Sequence, residues 1–366
     1  MIYLDYAAAT PVRKEVLTAM QPYFTTIYAN PSSLHHLGQE ARLAVEEARS
    51  TIAVQLNCLP AEIIFTSGGT ESINLALQGV TKGHIITSSI EHKAVLETCR
   101  MLQKKGYSVT YIQPNKQGLI NPKDVGNAIR KNTRLISIMY ANNEIGTIQP
   151  IQRIARIAKK HNILFHTDAC QASPHLDLNV SKLDVDLLTL NSSKCYGPKG
   201  VGLLYLKKGV KLKPLIHGGA QEAGRRAGTE NVPGIVGFSK ALELAQKEKR
   251  ETKRLTALRD WFISEIQRKI NNVKLNGHKT KRLPGNINIS FKGIDAQQLV
   301  QHLSSYGIYV STGSACTSHE VEKSHVLENI NAKEGVRISL GTSTTKRELQ
   351  EVLTKLTMIV TALRKI

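Results

Sequence analysis

No run of eighteen apolar residues occurs in the 366-residue chain, so the sequence predicts nothing that crosses a membrane. The opening MIYLDYAAATPV goes directly into an apolar–polar pattern. It shows neither a basic region before an apolar stretch nor an Arg-rich leader, and the expected location is cytoplasmic. Cysteine is scarce: Cys58, Cys99, Cys170, Cys195 and Cys316 form no CxxC and fit no metal spacing. Their odd number argues against a disulfide scaffold, and no metal site is expected. Acidic residues are also few, 29 against 49 Lys and Arg, which leaves a net charge of +20. No zinc-finger or RNP-like motif accompanies that charge, so direct nucleic-acid binding is not expected. A solvated basic surface is the plain reading of the excess; attraction to an acidic protein or to RNA is the functional one. The densest stretch, 247–282, holds 12 Lys or Arg against 4 acids. Internal repeats and low-complexity tracts are absent as well.

What is present is ordinary for a globular protein: 41% apolar residues and 26 glycines, in a chain long enough for two domains. Apolar runs of strand length alternate with helix-length segments. Strands are expected at Ile63–Thr66, His84–Ser88, Ser108–Ile112, 135–139, 163–166, 185–190 and Gly202–Leu206, with helices at 34–57, 70–79 and 90–104. That rhythm predicts an α/β fold with a mainly parallel seven-stranded sheet covered on both faces. In such sheets ligands bind at the carboxyl ends of the strands. Near Leu242 the rhythm changes to one long amphipathic helix carrying Leu255, Leu258, Phe262, Ile266 and Ile270. The pieces after it (Asn286–Phe291, 294–305, 309–311, 335–340 and 345–364) read as a smaller α+β unit. The expected division is 14–245 for a large domain, with 1–13 and 246–366 forming a small one.

The chemistry gathers at the predicted strand ends. One apolar run leads into Asp168 and another into Lys194, which is followed by the turn Tyr196-Gly197-Pro198. An amine and a carboxylate so delivered suit pyridoxal phosphate (PLP). The amine forms a Schiff base, and the acid keeps the pyridine nitrogen protonated. Strands that end in Asp and Lys for structural reasons alone are the plain alternative. TSGGTES, residues 66–72, turns from a strand into a helix. Its glycines allow close backbone approach, the helix N-terminus offers N–H groups to an anion, and Thr70 adds a hydroxyl. An ordinary capped turn is the alternative there, and with no Gly-Lys-Ser/Thr following it is not a P-loop.

His92 and the run Asn142-Asn143-Glu144-Ile145-Gly146 fall beyond two more strand ends. Cys316 has the small, polar neighbours of a reactive thiol, whereas Cys58, Cys99 and Cys170 read as packing residues. Arg337 is a lone charge within an apolar strand pattern. Burying it is costly unless it meets a partner, and a substrate carboxylate held bidentately is the natural candidate.

LDYAAATPV, NPSSLHHLG, TSGGTES, EHKAV, NNEIG, TDACQ, KCYGPKG, RRAGTENVP, GSACTS and RISLG span nearly the whole chain. With them the chain resembles the cysteine desulfurases of the NifS/IscS kind, class-V aminotransferases of the aspartate-aminotransferase-like PLP fold type I. The resemblance implies PLP between a large and a small domain, and a homodimer with two active sites at the subunit interface. It implies L-cysteine as substrate and persulfide sulfur passing from Cys316 to an iron–sulfur scaffold protein or a tRNA-thiolation enzyme. Cys316 stays open as a transient iron–sulfur ligand. Residue by residue, Lys194 corresponds to the Schiff-base lysine, Asp168 to the partner of the pyridine nitrogen and Gln171 to the donor to the ring oxygen. His92 would stack on the ring and carry protons. Gly69, Thr70 and neighbouring amides would hold the phosphate, helped by Asn191 and Ser193, with Thr229 reaching the phosphate in the partner subunit. Asn143 would lie near cofactor and substrate, and Arg337 and Asn30 would grip the substrate carboxylate.

Two positions depart from the family pattern. A histidine is usual directly before the lysine, often with a serine two residues further back; here these are Ser193 and Asn191. That implies weaker PLP retention with catalysis kept. Cys195 stands where a bulky apolar residue is common. Among alternatives, an aminotransferase would need PLP, Lys194, Asp168 and a carboxylate-binding Arg but no reactive cysteine. A selenocysteine lyase is nearer. A weakly active sulfur-delivery platform, binding a scaffold protein or a tRNA-modifying enzyme, rests only on Ser193 and the charge.

Overall fold

The computed structural model describes residues 1–313 and 323–365. In chain order its strands are β1 (Ile2–Tyr3), β2 (Ile63–Thr66), β3 (His84–Ser88), β4 (Ser108–Ile112), β5 (Thr133–Ser137), β6 (Leu164–Asp168), β7 (Leu187–Asn191), β8 (Gly202–Leu206), β9 (Val273–Leu275), β10 (Asn286–Phe291), β11 (Ile308–Tyr309) and β12 (Val336–Ser339). A seven-stranded sheet has the order β2-β8-β7-β6-β5-β3-β4. In it β8 runs against both β2 and β7, and the remaining neighbours pair parallel. The sheet is mainly parallel, as the sequence rhythm predicts. One consequence matters for function: β2, β3, β5, β6 and β7 all end on the same edge.

The strands show little alternation because both faces are buried. Consecutive residues point to opposite faces. Ile85, Leu135, Leu187 and Leu204 pack with Ile73, Leu77, Val95 and Cys99, whereas Ile86, Ile136, Leu188 and Leu203 join Ile52, Ile154 and Phe238. Each such Ile or Leu withdrawn from water contributes about 1.5–3 kcal/mol. On the second face the helix His36–Leu56 buries Ala41, Ala44, Ala48 and Ile52. It packs against the helix Val232–Lys247 and stops at Asn57, whose φ of 55° is the left-handed conformation of a helix C-cap.

A second core joins Ile2 and Leu4 to Leu255, Phe262, Ile287, Leu299, Val336, Ile338, Leu349 and Leu356. Its sheet is β12-β10-β9, antiparallel throughout, and β1 pairs parallel with β11. The N-terminal strand therefore packs among residues from the last third of the chain. Among the described residues, no helix is long and apolar enough to cross a membrane.

The structure shows where the long helix starts and differs from the sequence rhythm at one strand. The amphipathic helix expected after Leu242 is Lys249–Lys269, set off from the preceding helix Val232–Lys247 at Glu248, with φ −91° and ψ 51°. Nothing local in QKEKRETKR breaks a helix. The carboxylate of Glu248 instead takes two bonds of 2.6 Å from the Arg13 guanidinium, and the two helices bury Phe238 and Phe262 in different cores. The strand expected at 135–139 lies at Thr133–Ser137. Met139 stays buried, but its N–H goes to the Glu91 carboxylate rather than to a neighbouring strand.

Candidate functional site

The shared strand edge encloses a cavity of about 170 Å³, closed by Ala7 and Ala8 of the N-terminal segment and by Arg337 of β12. A larger cleft of about 770 Å³ beside Gln113, Asp124 and Arg153 holds none of the expected residues. At the end of β2, Gly68 takes φ 152°, a conformation that disfavours any side chain, and the helix Gly69–Gln78 begins at once. A Cβ at Gly69 would lie 2.9 Å from Cys170 Sγ, so only glycine lets the helix start this close to β6 and β7. Thr66 and Ser72 hydroxyls, 2.7 Å apart, brace the turn from behind. Glu71 in the first helical turn accepts from Ser67 N at 2.8 Å and pairs with Arg226 at 2.9 Å. Burial alone would raise the Glu71 pKa, but these bonds hold it below the usual carboxylate value.

Asp168 ends β6, buried, with Oδ1 accepting from Cys170 N at 3.0 Å. Two residues earlier His166 bonds Ser137 Oγ at 2.8 Å and Thr189 Oγ1 at 3.0 Å, a polar ladder across β5, β6 and β7. Burial lowers His166 to about 4, so this ring is neutral and serves as structure. Gln171 donates Nε2 to Ala7 O at 2.9 Å. Lys194 closes a 3₁₀ turn, Ser192–Lys194, directly after β7, and its Nζ donates to Ala8 O at 2.5 Å. The thiol of Cys195 is fully buried and pushed up to about 12 by burial, and Cys170 is raised strongly for the same reason.

His92 caps the helix Lys93–Lys104, its Nδ1 accepting from Ala94 N at 3.1 Å. The neutral ring therefore carries its proton on Nε2. Beside it, Glu91 is buried, taking Ser88 Oγ at 2.5 Å and Met139 N at 3.0 Å. Burial, with a smaller push from the Asp168 charge, raises Glu91 to about 8. The Asn142 side chain donates to Ile90 O at 2.9 Å. Together these bonds fasten the turn bearing His92 to the turn bearing Asn143. Arg337, 1% exposed, donates Nη1 to Asn143 O at 3.2 Å and pairs through Nη2 with Asp5 at 2.7 Å. Its Nε is buried and has no partner among the described residues.

Nine of the expected residues thus line one cavity: Gly69, Thr70, His92, Asn143, Asp168, Gln171, Asn191, Lys194 and Arg337. Ser193 is buried next to it, its hydroxyl 3.3 Å from Asn191 Oδ1. Asn30 and Thr229 are exposed and do not line the cavity; Asn30 Oδ1 is engaged by Ser32 N at 2.9 Å. Cys316 lies outside the described residues. The residues flanking that stretch meet at one carboxylate. A Cβ at Gly313 would come within 2.9 Å of Glu144 Oε2, and Ser324 Oγ donates to the same oxygen at 2.5 Å. Sequence reasoning missed Asp5, Ala7, Ala8 and Glu91. The alanines act only through backbone carbonyls, which carry no side-chain signal.

The residues fit PLP on three observations. A helix N-terminus with a glycine cradle faces the cavity and can seat a phosphate. An acid and an amine come from the ends of adjacent strands. A buried guanidinium N–H has no partner among the described residues and can meet a carboxylate.

Comparison with known proteins agrees with this layout. The family described as Aminotransferase class-V matches residues 2–352. A cysteine desulfurase IscS from Dictyoglomus turgidum is 53% identical over 377 residues, covering 100% of this chain and 96% of its own. A solved NifS-like protein superposes with a TM-score of 0.92 at 39% identity, covering 98% of this chain and 99% of that one. A structure described as SspA in complex with cysteine gives a TM-score of 0.82 at 40% identity, covering 93% and 99%.

Proposed function

The chain belongs to the class-V aminotransferase family and is a cysteine desulfurase of PLP fold type I; from that premise we propose how its residues divide the work. The observation that carries the reading is the convergence of Lys194, Asp168 and Arg337 on one cavity. Gly69, Thr70 and the amides of their helix N-terminus would hold the phosphate, with Asn191 at the end of β7 and Ser193 in the turn after it in support. Asp168 keeps a proton on the ring nitrogen, Gln171 donates to the ring oxygen, and His92 covers the ring. Bound there, PLP supplies an aldehyde carbon that holds the substrate amine and a ring that withdraws electrons from its Cα.

Arg337 holds the L-cysteine carboxylate with Asn143 beside it, which fixes the Cα–H against Lys194 Nζ. Lys194 takes that proton. His92, with Nδ1 tied to Ala94 N, exchanges protons through Nε2. The Cys316 thiolate attacks the substrate sulfur and forms an S–S bond. The Cβ–S bond breaks with its electron pair left on Cβ; Cβ takes a proton, Lys194 gives its proton back to Cα, and the product leaves as L-alanine. Burial pushes Cys58, Cys99 and Cys195 up to about 12 and Cys170 strongly upward, so these thiols stay protonated and poor as nucleophiles. The ends of the stretch that carries Cys316 meet at Glu144, next to Asn143, which supports its delivery to this cavity.

The active unit is a homodimer in this reading. Phe24, Tyr28, Leu34, Leu43 and Ile216 are exposed on the single chain, apolar surface that a partner subunit could cover. Asn30 and Thr229 lie outside their own chain's cavity, and a partner subunit's cavity would use them. The large domain is taken as 14–245, and the small one as 1–13 with 246–366. Free thiols at Cys58, Cys99, Cys170 and Cys195 suit the cytoplasm. The sulfur goes to an iron–sulfur scaffold protein or a tRNA-thiolation enzyme. Incubation with L-cysteine tests the core of the reading: the peptide with Cys316 gains about 32 Da, one persulfide sulfur, and Cys316→Ala stops alanine release. Sulfur on Cys170 or Cys195 instead would refute the assignment.

A further inference from the structure

Arg337 enters the cavity already paired. Nη2 meets Asp5 Oδ1 at 2.7 Å, and Nη1 donates to Asn143 O at 3.2 Å. Asp5 is held firmly: Tyr3 Oη, Ala8 N and Ala9 N all donate to its backbone carbonyl, and it bridges beside Ser339 of β12. The two alanines that follow Tyr6 receive Gln171 Nε2 and Lys194 Nζ on their carbonyls. Asp5, Ala7 and Ala8 therefore each touch one site group, and of the three only Asp5 brings a charge.

A guanidinium that is 1% exposed is costly to leave without a counter-ion. Asp5 provides one when no substrate is present. An arriving carboxylate then meets a cation whose charge is already largely balanced, with the Nε–H still open. We propose that Asp5 positions Arg337 and sets its affinity, keeping the grip on single carboxylates loose enough for L-alanine to leave. The proposal rests on the reading of Arg337 as the carboxylate binder.

Asp5→Asn keeps an oxygen to accept from Nη2 but removes the charge, so the buried cation is left to be balanced by a ligand. In the PLP-loaded enzyme, the inhibition constant of L-alanine and the KM for L-cysteine both fall about tenfold, the scale of one charge-assisted hydrogen bond changing hands. L-Alanine also raises the melting temperature of Asp5→Asn more than that of the wild type. Asp5→Glu, which retains the charge, returns both constants toward wild type. A residue with only a structural role would weaken alanine binding when changed, so an unchanged or raised constant in Asp5→Asn overturns the proposal. If Asp5→Asn does not fold, Asp5→Ser, whose hydroxyl can accept the same bond, is read in the same way. Arg337→Ala separates the two readings. An unaltered alanine constant there defeats the carboxylate assignment itself, whereas a raised one beside an inert Asp5→Asn defeats only the role of Asp5.

Discussion

Arg226 Nε donates to Glu71 Oε1 at 2.9 Å, and its Nη2 to Glu71 Oε2 at 3.3 Å. This pair joins the loop that carries Thr229 to the first turn of the helix Gly69–Gln78. It also neutralises a carboxylate that would otherwise stand beside the proposed phosphate seat. Arg226→Ala leaves that carboxylate uncompensated, and PLP release on dialysis accelerates by about tenfold, the scale of a lost charge-assisted bond. Adding Glu71→Gln to it slows release again. The pH dependence has a definite sign. Because Glu71 is held below its ordinary pKa, the pair is intact above the usual carboxylate range and is lost as pH falls through the lowered value, so PLP retention declines in acid. Release that ignores Arg226→Ala would remove the pair from cofactor binding.

Glu91 predicts the opposite pH trend for stability. Its folded value is raised from 4.5 to about 8, so between those limits the folded chain holds a proton that the unfolded chain has released. Stability from this group is complete below the unfolded pKa and falls as pH rises through about 8. Glu91→Gln keeps an acceptor for Met139 N and a group to bond Ser88 Oγ while removing the titration. Thermal melts should therefore show a smaller loss for the variant than for the wild type between about pH 5 and about pH 9. Parallel loss in both proteins would locate the pH dependence elsewhere.

The same residues show why parts of the molecule were legible in the sequence and parts were not. Ile63–Thr66, His84–Ser88, Ser108–Ile112 and Gly202–Leu206 have the bounds their apolar runs predict, because a glycine- or proline-bearing turn flanks each run. The turns after them were legible as a set of polar residues at strand ends, since a parallel sheet brings those ends to one edge. Glu91 was not legible: a carboxylate beside His92 looks like any surface acid until Met139 N and Ser88 Oγ are seen to bond it. The change of rhythm near Leu242 was legible, but its anchoring at Glu248 by Arg13, which lies 235 residues away, was not. Asn30 and Thr229 carry motifs that resemble the family's, but both are exposed and do not line the single chain's cavity, which motif residues alone do not reveal.

Ser193 stands where the resemblance implies that a histidine is usual. Its hydroxyl is spent on Asn191 Oδ1 at 3.3 Å, so it offers the phosphate less than an imidazole would. Ser193→His is expected to slow PLP loss on dialysis by several-fold, about one neutral hydrogen bond's worth. The site is buried, so melting of the variant must be followed alongside. A folded Ser193→His that loses PLP as fast as the wild type would mean that another group already serves in place of the missing ring.

The basic stretch 247–282 bears on what receives the sulfur, and its charges are not equivalent. Arg259 and Arg282 are buried and bond backbone carbonyls, Arg259 to Leu283 O at 2.9 Å and Arg282 to Ile145 O at 3.0 Å. Arg254 and Arg268 pair with Glu251 and Glu265 on their own helix. The exposed lysines include Lys269, Lys274 and Lys279, at the end of the helix Lys249–Lys269, on β9 and in the loop beyond. If opposite net charge brings an acidic scaffold protein to this face, association should slow steeply as salt rises from about 50 to about 300 mM, where the screening length falls below 10 Å. Changing Lys269, Lys274 and Lys279 together to Glu should slow association further at low salt. Alanine release from free L-cysteine should be unaffected, because none of the three lines the cavity. Stopped-flow association against salt, beside a turnover assay, reads both effects. Association indifferent to salt and to charge reversal would leave the net charge of +20 as a bulk property with no part in choosing the acceptor.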